Sequence, residues 1–185
     1  MVEARTQNQI SPEEFAKQVF ELHKSEIMSE LKRRAIKTDD NNDRFAIATI
    51  LSGCFELTMN DYYKEKTEKV IEQGWSPEDT EVYYVGWTGT EAYAKIELPN
   101  RIKFNIEIVP KKSEDLTKEE YFDIKKVYDE LEKEYLENRV KELEEELKKK
   151  YEELSEAWSK IRELEQQLEE CKNEEEQEDE DDDDY

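Results

Sequence analysis

The sequence predicts an α+β protein: N-terminal helices packed on a three-stranded antiparallel meander, then a long C-terminal α-helix forming a coiled coil, and a disordered acidic tail. Three observations carry that expectation. Residues 11–74 repeat apolar positions at helical spacing, residues 81–110 alternate with period two, and residues 116–171 lack proline and glycine while Glu, Lys, Leu and Arg dominate. The expected organisation is a flexible N-terminus over 1–10, an α+β head over 11–113, a long helix with a coiled-coil seam over 114–172, and a disordered tail over 173–185.

The first helix begins at Ser11-Pro12-Glu13-Glu14, where a Ser cap precedes Pro at the first helical position and Glu at the third. Phe15, Val19, Leu22, Ile27 and Leu31 form its apolar stripe. Lys32, Arg33, Arg34 and Lys37 gather at its C-terminal end, where cations suit the helix dipole. Asn42 or Asp43 is a candidate cap for a second helix through FAIATILSGCFEL, which is apolar on most faces and suits a core element. The following stretch, NDYYKEKTEKVIEQG, is amphipathic, with Tyr62, Tyr63, Val70 and Ile71 as candidate buried positions. Gly74 is its C-terminal cap, and the stretch reads as a third helix or a continuation of the second.

EVYYVGW, TEAYAKIEL and RIKFNIEIV are rich in β-branched and aromatic residues, and the last alternates Ile102, Phe104, Ile106 and Ile108 with Lys103, Asn105 and Glu107. Thr88-Gly89 and Pro99-Asn100 supply short turns, and Pro110 closes the last strand. A sheet with one apolar face needs a cover, which the N-terminal helices provide.

The long segment carries a heptad seam. With Val140 at position a, the next a residues are Leu147, Leu154, Ile161 and Leu168; the d set is Leu143, Lys150, Ala157, Leu164 and Cys171. Arg139 and Lys160 at g lie five residues before Glu144 and Glu165 at e, so a parallel homodimer gains attractive pairs, and an antiparallel partner stays open. The expected oligomer interface is Val140, Leu143, Leu147, Leu154, Ala157, Ile161, Leu164 and Leu168. Upstream, Ile124, Val127, Leu131 and Tyr135 follow another register, which implies that 117–135 dock on the head. Tyr151 and Trp158, at e, widen the apolar face and are candidate partner-binding anchors. The tail acids Glu174, Glu175, Glu176, Asp181, Asp182, Asp183 and Asp184 are the other candidates.

The 185 residues are 35% hydrophobic and 43% charged, with a net charge of −23, too polar for one compact globule. Residues 1–113 carry −4, 114–172 carry −9 and the tail carries −10. Such charge repels nucleic acid and anionic membranes at long range and favours a basic protein surface as partner. The longest weakly polar run, Phe45 to Phe55, is too short to span a bilayer, and the first residues lack a signal-peptide core, so a cytoplasmic protein is expected. Cys54 and Cys171 form no disulfide framework or metal-ligand spacing.

Motifs for catalysis, cofactors and metals are lacking. His23 is the single histidine, no phosphate-binding glycine loop occurs, and DDNND from Asp39 fails as a calcium loop because Arg44 replaces the required glycine and Ile50 the bidentate Glu. Tyr83, Tyr84, Trp87 and Tyr93, with Lys95, Arg101 and Lys103 nearby, form a possible base-stacking platform, set against ordinary strand packing. The leading expectation is therefore a non-enzymatic interaction protein that homodimerises through its coiled coil and engages a basic partner. Two alternatives stand beside it. One is an acidic nucleic-acid mimic that inhibits a nucleic-acid-binding enzyme, of the anti-restriction or anti-CRISPR type. The other is a head-domain nucleic-acid binder, using Lys24, Lys32, Arg33, Arg34 and Lys37, autoinhibited by the acidic tail.

Overall fold

The computed structural model describes residues 9–181, and the chain falls into two compact units, Met1–Leu136 and Glu137–Tyr185. Among the described residues there are four α-helices and one four-stranded antiparallel sheet, so the protein is α+β. None of these helices is long and apolar enough to cross a membrane.

Helix α1 (Pro12–Ala35) starts where the sequence places it, with Ser11 Oγ accepting from the Glu14 amide at 3.1 Å. Its buried residues are Phe15, Ala16, Val19, Phe20, Ile27, Leu31 and Ala35, whereas Leu22, expected on the stripe, is 52% exposed. Ile10, expected in a flexible terminus, packs against the core. Helix α2 (Asn41–Leu51) is capped by Asp40 rather than by Asn42 or Asp43. The Asp40 carboxylate accepts from both those residues' amides, at 2.7 and 3.2 Å, so they lie inside the first turn.

The largest departure from the sequence reading follows Leu51. The expected helix through Leu57 stops six residues earlier in a Schellman closure: the Gly53 amide donates to Ile50 O at 2.9 Å, the Cys54 amide to Thr49 O at 3.1 Å, and Gly53 takes φ 84°. The chain then enters strand β1 (Phe55–Thr58), which pairs with the last strand and makes the sheet four-stranded. Helix α3 (Asp61–Glu72) is a separate element, capped by the Asn60 side chain and closed at Gly74 with φ 86°. Val70 is buried in it, but Tyr62 is 59% exposed and lies against Lys66, 4.6 Å from ring to ammonium.

Strands β2 (Glu81–Trp87), β3 (Ala92–Glu97) and β4 (Lys103–Pro110) complete the sheet in the order β1-β4-β3-β2. Phe104, Ile106 and Ile108 of β4 and Ala92, Ala94 and Ile96 of β3 face inward and are buried. They meet α1, α2 and α3 in one core, in which the Phe15 and Phe104 rings stand edge to face at 6.1 Å. Gly86 pairs directly with Tyr93, and the Tyr93 ring lies over it; a Cβ at Gly86 would come within 2.3 Å of that ring.

Helix α4 (Lys118–Asp181) opens with a reciprocal box: the Glu120 amide donates to Thr117 Oγ1 at 3.1 Å, and the Thr117 amide donates to a Glu120 carboxylate oxygen at 3.0 Å. Ile124 and Leu131, in its first part, are buried in the core. At the other end the helical backbone reaches Asp181. Glu is a good helix former, and extending an existing helix requires no new nucleus. Asp182, Asp183 and Asp184 lie outside the described residues.

Candidate interaction site

The described residues of the second unit form a single element, the later part of α4, and no apolar residue over 137–174 is buried. Leu136, Val140, Leu143, Leu147, Tyr151, Leu154, Trp158, Ile161, Leu164 and Leu168 are between 43 and 64% exposed, at spacings of three and four. Such spacing places them along one side of the helix, since each residue turns about 100°. Leu136 was missed by the sequence reading, although it lies seven residues before Leu143 and extends the d set by one heptad. Ala157 and Cys171 are exposed too.

The apolar face is not straight. In its first and last heptads it consists of a and d residues, but in the middle the d positions are Lys150 and Ala157, and the e positions are Tyr151 and Trp158. The a line is thus flanked on one side at the ends and on the other side in the centre, a swing of about 50° at helical pitch. Lys150 is directed along the helix, its ammonium 2.7 Å from Glu153, which holds the amine above its ordinary pKa. Arg139 pairs with Glu142 at 3.0 Å. Glu174 is exposed, Glu175, Glu176 and Asp181 lie within the helical backbone, and Asp182, Asp183 and Asp184 are outside the description.

In the first unit, the aromatic platform suggested by the sequence is divided between two faces of the sheet. A bulge at Tyr83 shifts the β2 register between Val82 and Tyr84. Tyr84 and Tyr93 face outward with Lys95 near both rings, at 5.4 and 5.9 Å, and Lys103 lies 4.9 Å from the Tyr83 ring. Trp87 instead pairs with Ala92 on the inner face. Arg101 sits in the β3–β4 turn at φ 65°. Glu97 takes one of the cations, 3.9 Å from Lys103, which leaves little net positive charge for a nucleic-acid platform.

Arg44 is fully buried, and its guanidinium closes the α1–α2 turn. Nε donates to Ala35 O at 3.2 Å, one terminal nitrogen to Asn41 Oδ1 at 2.7 Å and the other to Thr38 O, with the Tyr135 ring centroid 4.1 Å away. Tyr135 donates to Asp39 at 2.5 Å. Beside this turn lies a cleft of roughly 380 Å3 lined by Glu30, Arg33, Arg34, Lys37, Thr38, Asp43, Ile47 and Trp87. The Trp87 indole N–H is shielded from solvent and has no acceptor among the described residues, a condition that costs about 1–3 kcal/mol for a buried donor. Of the expected basic cluster, Lys32 is 3.4 Å from Glu134 and Arg33 is 2.6 Å from Glu30.

The imidazole and the buried thiol have local roles. His23 Nε2 lies 3.0 Å from Thr80 Oγ1, whose own proton goes to Pro77 O at 2.6 Å, so the imidazole is the donor and ties α1 to the start of β2. Burial, and secondarily the Glu120 carboxylate, push the Cys54 thiol up, away from the reactive thiolate. Among the described residues no group of His, Cys, Asp and Glu could hold a metal ion. No protein-family model matches the chain, and no curated protein or solved structure is detectably similar to it.

Proposed function

We propose that this chain is a non-enzymatic interaction protein that assembles with a second copy through the Val140–Leu168 face and engages a basic partner through its acidic surface. The observation that carries the reading is the row of exposed large apolar side chains on α4. A contiguous apolar strip rimmed by charge marks an association surface, because its exposure to water is unfavourable along its whole length. A second copy fits the flanking charges. In parallel register Arg139 meets Glu144 and Lys160 meets Glu165, and the other g-to-e pairs, Glu146 with Tyr151, Glu153 with Trp158 and Gln167 with Lys172, include no like charges. Lys150, turned toward Glu153, keeps its ammonium at the edge of the seam. Sedimentation equilibrium of the intact chain should give twice the 22.2 kDa chain mass, and Leu154→Asp combined with Ile161→Asp should return it to one. An intact chain that sediments as a monomer would reject self-assembly.

One observation favours a second reading, the polyanion mimic. Helical backbone through Asp181 gives the acidic run a repeat of ~1.5 Å per residue, close to the one charge per ~1.7 Å of duplex DNA. On that reading, inhibition of a DNA-binding enzyme weakens steeply with salt and falls when the carboxylates from Glu174 to Asp181 are changed to amides. Inhibition that survives those changes would remove it.

A further inference from the structure

The cleft beside the α1–α2 turn holds chemistry that self-assembly does not use. Arg33, Arg34 and Lys37 line it, and only Arg33 has a carboxylate within ion-pair distance, Glu30 at 2.6 Å, among the described residues. Its lining carries three cations against the two carboxylates Glu30 and Asp43, an excess of positive charge in a chain of net −23. Two other clefts have the opposite balance: one carries Lys32 against Glu130 and Glu134, the other Lys17 against Glu14, Glu21 and Glu78. Complementarity with the α1 dipole accounts for basic residues in the last turn. It does not account for the Trp87 indole on the same wall, with its buried N–H left without an acceptor.

We propose that this cleft binds a phosphomonoester carried on a planar ring, a ligand of mononucleotide size. Guanidinium and ammonium groups recognise phosphate oxygens through charge-assisted hydrogen bonds, and Arg34 and Lys37 are the cations free to do so. A volume of roughly 380 Å3 falls within the range of small-ligand sites and exceeds what a bare oxyanion needs. The indole supplies a flat surface for the ring. Glu30 and Asp43 supply acceptors for exocyclic amino groups. Arg44 fixes the floor by holding the α1–α2 turn from within.

A free mononucleotide and the phosphorylated end of a strand share this chemistry, and the test separates them. The full chain, isotope-labelled in its indole nitrogens, is titrated with AMP, adenosine, inorganic phosphate, and oligodeoxyadenylate with and without a terminal phosphate, with Trp87→Phe identifying the Trp87 signal. AMP should move that signal, while adenosine and phosphate should move it far less. If only AMP does so, the ligand is a free nucleotide; if the phosphorylated strand also does and the unphosphorylated one does not, it is a strand end. Arg34→Gln with Lys37→Gln should weaken AMP binding roughly tenfold or more, since two charge-assisted contacts are lost. Lys17→Gln with Lys24→Gln, the same charge change elsewhere on α1, should leave it within a factor of two. Silence of the Trp87 signal toward every phosphorylated probe would overturn the assignment, as would equal loss in both double variants. A stronger response to a synthetic peptide of residues 174–185 than to AMP would also overturn it, in favour of carboxylates.

Discussion

The two ends of α4 are built from similar residues and meet opposite surroundings. In the first unit Ile124 and Leu131 are buried against the sheet and its helices; in the second, Val140 to Leu168 place apolar side chains of similar kind at helical spacing in water. Burial accounts for the first half, since helices in proteins draw most of their stability from the face they pack. The second half has only propensity and local ion pairs such as Arg139–Glu142, each worth a few tenths of a kcal/mol on an exposed helix. Identical helical periodicity thus marks a core in one place and an exposed apolar row in the other. Local sequence sets the stripe, and only the fold around it shows whether the stripe is covered.

Truncating one large side chain in each region breaks the comparison most directly. Phe104→Ala, in the packed centre of the sheet, should cost about 3–5 kcal/mol in urea unfolding of the first unit. Leu154→Ala should leave that transition within about 0.5 kcal/mol and act on assembly instead. Comparable losses at the two sites would mean that the second unit is covered by the first, and the contrast would fall.

The next effect concerns how the first unit is tied together. Arg44→Met keeps the apolar length of the side chain and leaves Ala35 O, Thr38 O and Asn41 Oδ1 without their donor, at a cost of about 2–4 kcal/mol. Arg44→Lys should recover little, because one ammonium cannot span three acceptors set around a planar fork. The variant should lower the urea midpoint of the first unit, with the assembly mass unchanged. A neutral Arg44→Met would show that the turn is held by packing alone.

Sequence and structure diverge where a feature depends on long-range pairing. The alternation of Phe104, Ile106 and Ile108 was legible because one buried sheet face imposes period two. Strand β1 was not, because four residues following an apolar helix continue the same hydrophobic run, and nothing in the local pattern marks Gly53 as the left-handed residue that ends α2. The exposed apolar row on α4 was legible from heptad spacing, although Leu136 was lost because Lys126 and Lys133 occupy the a positions upstream. The cleft was hidden for a different reason. Trp87 and Arg34 are far apart in sequence, and the bulge at Tyr83 decides which face each aromatic of β2 takes.

A smaller effect lies in the β3–β4 turn, where Arg101 occupies a conformation with φ 65° that suits glycine. Arg101→Gly removes a steric cost of about 1–2 kcal/mol and adds unfolded-state entropy of about half that, for a net gain of about 0.5–1 kcal/mol. Thermal unfolding should shift up by a few degrees. A loss of stability would show that the Arg101 side chain makes up for its backbone strain.

The smallest effect is electrostatic and lies at the start of α4, where the two kinds of helix surface share one beginning. The Lys111 ammonium, 2.9 Å away, and the Thr117 amide hold the Glu120 carboxyl below the usual carboxylate range, and the same contact raises Lys111. A depressed carboxylate stabilises the fold above its unfolded pKa, and that contribution disappears as pH falls through the folded value; the raised lysine contributes below its unfolded pKa and is lost as pH rises through its folded one. Both side chains face solvent, so screening keeps the pair weak. Glu120→Gln keeps an oxygen for the Thr117 amide and removes only the charge. Its urea midpoint should therefore fall less than the parent's between neutral and strongly acidic pH, and the difference should shrink in high salt. Parallel pH profiles would assign the helix start to the capping box alone, with Lys111 as a bystander.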